Sequence, residues 1–243
     1  MQPINAYTAQ SKHSPLSCLA VIGATSGIGK AFFDYCEKQS VNHLISISRR
    51  KRPPQSNPRF EEIEIDLASS ESVQAGCQRL GVMSLKGERA VGVLVSAATI
   101  DPINSSLTVA SDAFDRAFLV NCLSPLKILR TIIQVSMEAE TRLRVVYLDT
   151  GAADRPILGW GAYCASKAAM RMALRVMAAE ADPERVQIDF FDPGIVDTPM
   201  QEQIRNSDRH EFPDRETFRA YKNEGKLRDA ESVALDIWER FCS

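Results

Sequence analysis

Six short apolar runs, at 18–22, 44–48, 63–66, 91–96, 145–149 and 186–191, are separated by stretches long enough to cross back over a sheet. Helical patterns fall between them at 27–39, 70–80, 111–139 and 162–181. A strand–helix–strand order repeated this often buries its apolar faces only when the strands run parallel and the helices cover both sides, so the pattern predicts an α/β fold with one doubly wound parallel sheet. Several of the runs are apolar throughout rather than alternating, as strands covered on both faces are. Met170, Leu174 and Met177 recur at helical spacing and read as core or subunit contact rather than a cofactor box.

Nothing in the chain divides this pattern. Its 243 residues, 44% of them hydrophobic, contain no Gly/Ser-rich or Pro-rich linker in the middle, so 18–243 reads as one domain and 1–17 as a flexible extension. From 199 to 229 the residues turn charged and polar with few apolar anchors, which marks a candidate substrate lid, before a last amphipathic helix over 233–241. A net charge of -2 gives no electrostatic reason to expect nucleic acid or an anionic membrane as partner, and no apolar stretch reads as long enough to span a bilayer. The six cysteines are scattered without CxxC pairs or metal-ligand spacing, which points to reduced thiols, the cytoplasm and no metal.

The first strand runs into Gly23-Ala24-Thr25-Ser26-Gly27-Ile28-Gly29 with a helix directly after it. Glycines there let the backbone turn tightly and approach a pyrophosphate, while the helix N-terminus offers free N–H donors. A Walker loop would need Gly at Ala24 and Ser or Thr at Ala31, and a nucleophile elbow would need Gly-x-Ser-x-Gly; neither fits, and a dinucleotide site remains beside a purely structural turn. Ser48 at the end of the second strand is followed by Arg49-Arg50-Lys51-Arg52, where a basic group favours the 2′-phosphate of NADP over NAD; a solvated basic loop is the plain alternative. Asp66, at the end of the third strand, fits either an adenine contact or a turn cap.

Tyr163 and Lys167 stand four apart near the start of a long helix and so share one face. A lysine cation beside a phenol favours the phenolate and lowers its pKa, so the pair is equipped for acid/base work, although Tyr-x-x-x-Lys also arises by chance on helix surfaces. Thr150, thirteen residues earlier at a strand end, supplies a hydroxyl where α/β sheets place their chemistry. Asp192-Pro193-Gly194-Ile195-Val196-Asp197-Thr198 follows the sixth strand, and its Pro-Gly turn and Thr198 have the groups to hold a carboxamide.

In this order and at these separations the motifs resemble the short-chain dehydrogenase/reductase family, from about Cys18 to the C-terminal helix. The resemblance implies a Rossmann-type sheet, a cofactor turn at Gly23, Gly27 and Gly29, a catalytic pair in Tyr163 and Lys167, and an asparagine, Asn121, that supports a water relay to the lysine. It implies cofactor contacts from Thr25, Ser26, Ile28, Ser48, Arg49, Arg50, Asp66, Leu67, Ser96, Ala97, Ala98, Tyr163, Lys167, Pro193, Gly194, Val196 and Thr198, and a homodimer or homotetramer built on the Asn121 and Tyr163 helices. The segments 159–167 and 192–201 and Glu224-Gly225-Lys226-Leu227 resemble the sepiapterin reductase and benzil reductase branch. Three departures stand out: Thr150 replaces the usual serine, Ser96-Ala97-Ala98-Thr99 replaces Asn-Asn-Ala-Gly, and the chain stops after its last helix where the family adds an edge strand.

The resulting expectation is an NADPH-dependent carbonyl reductase acting on a ketone or vicinal dicarbonyl. Tyr163 is its proton donor, Thr150 the second donor to the carbonyl oxygen, Lys167 the ribose ligand and Asn121 the relay support. Apolar Ile157, Leu158, Trp160 and Met200 flank these residues and line a pocket or pack as core. The alternative is a non-catalytic NADP-binding Rossmann protein acting as a sensor or interaction partner, motivated by the altered Ser96–Thr99 turn and the missing last edge strand. A hydrolase is disfavoured, because His13, His43 and His210 stand beside no nucleophile motif.

Overall fold

The computed structural model describes residues 16–52, 59–83, 85 and 88–242, so nearly all of the extension expected over 1–17 lies outside the described residues. Strands β1 (Cys18–Ile22), β2 (His43–Ser48), β3 (Phe60–Glu64), β4 (Ala90–Val95), β5 (Arg142–Leu148) and β6 (Val186–Phe191) form one sheet in the order β3-β2-β1-β4-β5-β6, with every pairing parallel. This is the Rossmann order. The chain reverses direction across the sheet beside β1, and a crevice opens at the carboxyl ends of β1 and β4, where Ile22 is in register with Val95. Among the described residues the sheet has six strands.

Both faces of the sheet are covered, and β1 shows why its sequence is apolar throughout. Cys18, Ala20 and Ile22 point to one core with Ile128, Leu129, Met170 and Leu174, whereas Leu19 and Val21 point to a second with Phe32, Phe33, Val233 and Ile237. The first face is built by helices α2 (Ser70–Gly81), α4 (Ser124–Glu138) and α5 (Gly161–Glu180), the second by α1 (Gly27–Cys36) and α8 (Ala230–Phe241). Met170 and Leu174 are fully buried, which resolves the methionine stripe as core. Helix starts follow local chemistry: Ser69 accepts from the Ser72 N–H at the head of α2, and Asp229 from the Ser232 N–H at the head of α8.

The helix expected over 111–139 is two helices, α3 (Ser111–Phe118) and α4, joined by a π-helical turn at Leu119–Leu123 that contains Asn121. By length and composition the 111–138 stretch could cross a bilayer, which corrects the sequence reading that no such stretch exists. Here its apolar stripe, Ile128, Leu129, Ile132 and Val135, is packed into the core.

The lid expected over 199–229 is mostly helical, with α6 (Pro199–Asn206) and α7 (Arg215–Asn223). Its anchor is Phe212, fully buried and stacked on Trp160 at 5.1 Å between ring centroids. Gly159 makes this docking feasible: its φ is +80°, and a Cβ there would lie 2.3 Å from the Glu211 carbonyl oxygen. Lys222 of α7 and Arg205 of α6 both pair with Asp197, tying the lid to the turn after β6.

Candidate active site

A cavity of about 1130 Å³ runs across the carboxyl ends of the strands and under α6 and α7. Its floor begins at the glycine turn. Gly23 has φ +97°, and a Cβ there would sit 2.8 Å from the Ala97 nitrogen, so only glycine lets the β1 turn and the β4 turn close on one another. The altered Ser96–Thr99 segment is held by other means than an Asn-Asn pair. Ser96 and Ala97 N–H groups both donate to the Ile22 carbonyl, at 3.0 and 2.9 Å, and Asn121 Oδ1 accepts from the Thr99 N–H at 2.7 Å. Thr198 comes back over the turn, with its methyl 3.3 Å from where a Gly27 Cβ would lie.

The cavity brings together Gly23, Thr25, Ser26, Gly27, Ile28, Ser48, Arg49, Arg50, Asp66, Leu67, Ser96, Ala97, Ala98, Pro193, Gly194, Val196 and Thr198 with Thr150, Tyr163 and Lys167. Gly29 is not on its wall. It packs behind the turn, where a Cβ would strike the Gly23 carbonyl oxygen at 2.3 Å, so its role is helix–strand packing. The four basic residues after β2 separate into two jobs. Arg52 is buried behind the turn, donating to the Ala24 carbonyl at 2.8 Å and pairing with Asp34, while Lys51 pairs with Glu64. Arg49 and Arg50 are exposed on the cavity wall with no ion pair among the described residues. Beside them the Ser48 hydroxyl is buried without a hydrogen-bond partner among the described residues.

At the other end, the Thr150 side chain accepts from the Ala152 N–H at 3.2 Å, and its hydroxyl favours the ionised form of the Tyr163 phenol. Burial pushes the phenol up to about 12, against the influence of the Thr150 hydroxyl. This runs opposite to the lowering expected from a neighbouring lysine cation, and the geometry gives the reason. The Lys167 ammonium is directed at the Leu148 carbonyl, 2.7 Å away, and lies 4.2 Å from the Tyr147 ring centre, while burial brings its own pKa down to about 7. Asp149 and Asp192 resist that fall and Arg171 adds to it.

A stability prediction follows. An unfolded lysine titrates near about 10.4, so above pH about 7 the folded chain has released a proton that the unfolded chain still holds, and stability rises with pH. Burial pushes the Cys18 and Cys242 thiols up to about 12, which opposes this once unfolded thiols ionise, near about pH 8.5. Thermal unfolding of the cofactor-free protein should therefore show the wild type gaining on Lys167→Met between pH 7 and about 8.5. A constant difference across that window would refute the burial of the charge.

The Asn121 side chain is a strut. Its amide donates to the Thr99 carbonyl at 2.9 Å and to Ser166 Oγ at 3.0 Å while its oxygen holds the Thr99 N–H, so it ties the β4 turn to α5. Of the four expected pocket residues, Ile157, Trp160 and Met200 line the cavity, whereas Leu158 does not and is 71% exposed. Sequence reasoning missed Phe218 and Tyr221, which α7 brings to the wall, Phe218 against Trp160 and Tyr221 against Phe218. It also missed Arg171, buried behind Thr150.

This fold and this set of residues define a class, and the family model for short chain dehydrogenase matches residues 17–209. The chain belongs to the short-chain dehydrogenase family. It is 30% identical to a benzil reductase ((S)-benzoin forming) of Bacillus cereus over 89% of this chain and 90% of that one. Among solved structures it resembles the KRED1-Pglu enzyme, with a TM-score of 0.76 at 21% identity over 93% of this chain and 96% of that one. A short chain dehydrogenase of Burkholderia cenocepacia J2315 in complex with NADP superposes with a TM-score of 0.66 at 19% identity, over 93% and 94% of the two chains. The family makes the chain an oxidoreductase.

Proposed function

We propose that the protein is an NADPH-dependent carbonyl reductase whose substrate is a ketone or vicinal dicarbonyl with aromatic or bulky apolar substituents. The observation that carries this reading is the placing of Tyr163 and Thr150 together on the cavity wall with aromatic Trp160, Phe218 and Tyr221. The glycine cradle, the uncapped N-terminus of α1 and the unpartnered Ser48 hydroxyl suit a dinucleotide that carries an extra phosphate toward Arg49 and Arg50. When bound, the reduced nicotinamide supplies the hydride. Tyr163 gives its proton to the carbonyl oxygen as negative charge develops there, and Thr150 donates a second hydrogen bond to the same atom. Lys167 would bind the nicotinamide ribose, Pro193, Gly194 and Thr198 would hold the carboxamide, and any relay role of Asn121 falls to its main chain, because its side chain is occupied.

The six cysteines are free thiols, which supports a reducing compartment such as the cytoplasm. Exposed Leu123, Met172 and Val176 support a homodimer or homotetramer joined along the α4 and α5 side. Oxidation of NADPH by purified protein against diketones, quinones, pterins and simple ketones tests the reading. Rapid turnover of an aromatic diketone is expected, and NADPH binding with no turnover of any of them would favour a sensor.

Cofactor choice is a separate expectation. With Arg49 and Arg50 on the wall and without an ion pair among the described residues, kcat/KM should favour NADPH over NADH, and each charge removed should cost roughly 1.5–3 kcal/mol of the preference, about 10- to 100-fold. Measuring both cofactors in Arg49→Ala and Arg50→Ala divides the effect between the two residues. A wild type that uses NADH equally well would overturn the assignment.

A further inference from the structure

We propose that Arg171 is a positioning residue for catalysis, holding the Thr150 hydroxyl where it meets the Tyr163 phenol; this rests on the carbonyl reductase reading above. Tyr163, Lys167 and Arg171 follow one another at four-residue steps, so α5 presents them as a ladder on one face. The ladder grips consecutive residues at the end of β5. Lys167 donates to the Leu148 carbonyl at 2.7 Å, Arg171 Nε lies 2.7 and 2.9 Å from the two Asp149 carboxylate oxygens, and Arg171 Nη2 donates to the Thr150 carbonyl at 2.6 Å. Its Nη1 reaches Asp154, beyond the short 3-10 turn at Gly151–Ala153.

One guanidinium therefore brackets the turn before, at and after the residue whose hydroxyl faces the substrate. From the opposite side Asp192 accepts from the Gly151 N–H at 3.1 Å, so Thr150 is clamped from α5 and from the end of β6. Arg171 is 8% exposed and does not line the cavity, so it reaches the chemistry through Thr150. The planar fork is what the task needs. A lysine ammonium on a flexible stem cannot reach the Asp149 carboxylate, the Thr150 carbonyl and Asp154 together.

A double-mutant cycle tests this. Arg171→Gln is expected to lower kcat on an aromatic diketone by about 10- to 100-fold, the range that misplacing a reacting group produces, with KM and NADPH affinity near wild type. In a Thr150→Ala background the same change should cost no more than about 2-fold, because the hydroxyl it positions is gone. Arg171→Lys should recover only part of the rate, and it carries the same comparison if Arg171→Gln fails to fold. Equal fold losses in both backgrounds, or wild-type kcat in Arg171→Gln, would overturn the assignment while leaving the reductase intact. A wild type that turns over no carbonyl would overturn both.

Discussion

Tyr163→Phe is expected to lower kcat by about 100- to 10,000-fold, the contribution of a positioned proton donor, while NADPH affinity stays close to wild type. The change removes one oxygen and leaves a ring that still packs edge-on against Trp160, with centroids 5.7 Å apart. The phenol's pKa, pushed up to about 12, keeps the proton on Tyr163 at neutral pH, the state needed for reduction. Steady-state rates with a saturating diketone and a fluorescence titration of NADPH separate the two quantities. Turnover in Tyr163→Phe near that of the wild type would assign the proton to another donor.

Thr150→Ala should be nearly as damaging, about 100- to 1,000-fold in kcat, because one of two donors to the developing oxyanion is lost. Thr150→Ser should stay active, since the hydroxyl that shares the cavity wall with Tyr163 and caps the Ala152 N–H is kept. The threonine methyl restricts χ1 and takes up room on the cavity wall, so the serine variant should accept bulkier ketones. The competing view gives Thr150 a purely local job, ending β5 and capping the turn. Under it Thr150→Ala would lose a little stability and keep its kcat; comparing kcat with thermal midpoints for both variants decides between them.

The parts of the fold that come from local pattern were readable. β1 and β6 stand where their apolar runs stand, and the glycine turn and the Tyr163–Lys167 spacing locate the cavity. What escaped depends on partners distant in sequence. β5 begins at Arg142, earlier than its apolar run, because Arg144 is hidden by Asp189 and the Phe241 carbonyl. β3 begins at Phe60, because Glu61 and Glu62 are half-buried and Glu62 caps the Arg52 N–H. The π turn around Asn121 is a change of hydrogen-bond register, which apolar periodicity does not record. Arg171 looks like any polar residue on a helix until β5 is laid against it, and Phe212 looks solitary in a charged segment until it stacks on Trp160.

The central claim is that this cavity passes hydride from a nicotinamide to a carbonyl carbon under the control of Tyr163. The direct measurement uses NADPH carrying deuterium at the transferable position of its nicotinamide ring, purified protein and an aromatic vicinal diketone, followed by mass analysis of the product. One deuterium on the new carbinol carbon is predicted in the wild type, with label transfer lost in Tyr163→Phe. Unlabelled product, or intact NADPH and diketone recovered from wild-type protein that binds both, would contradict it.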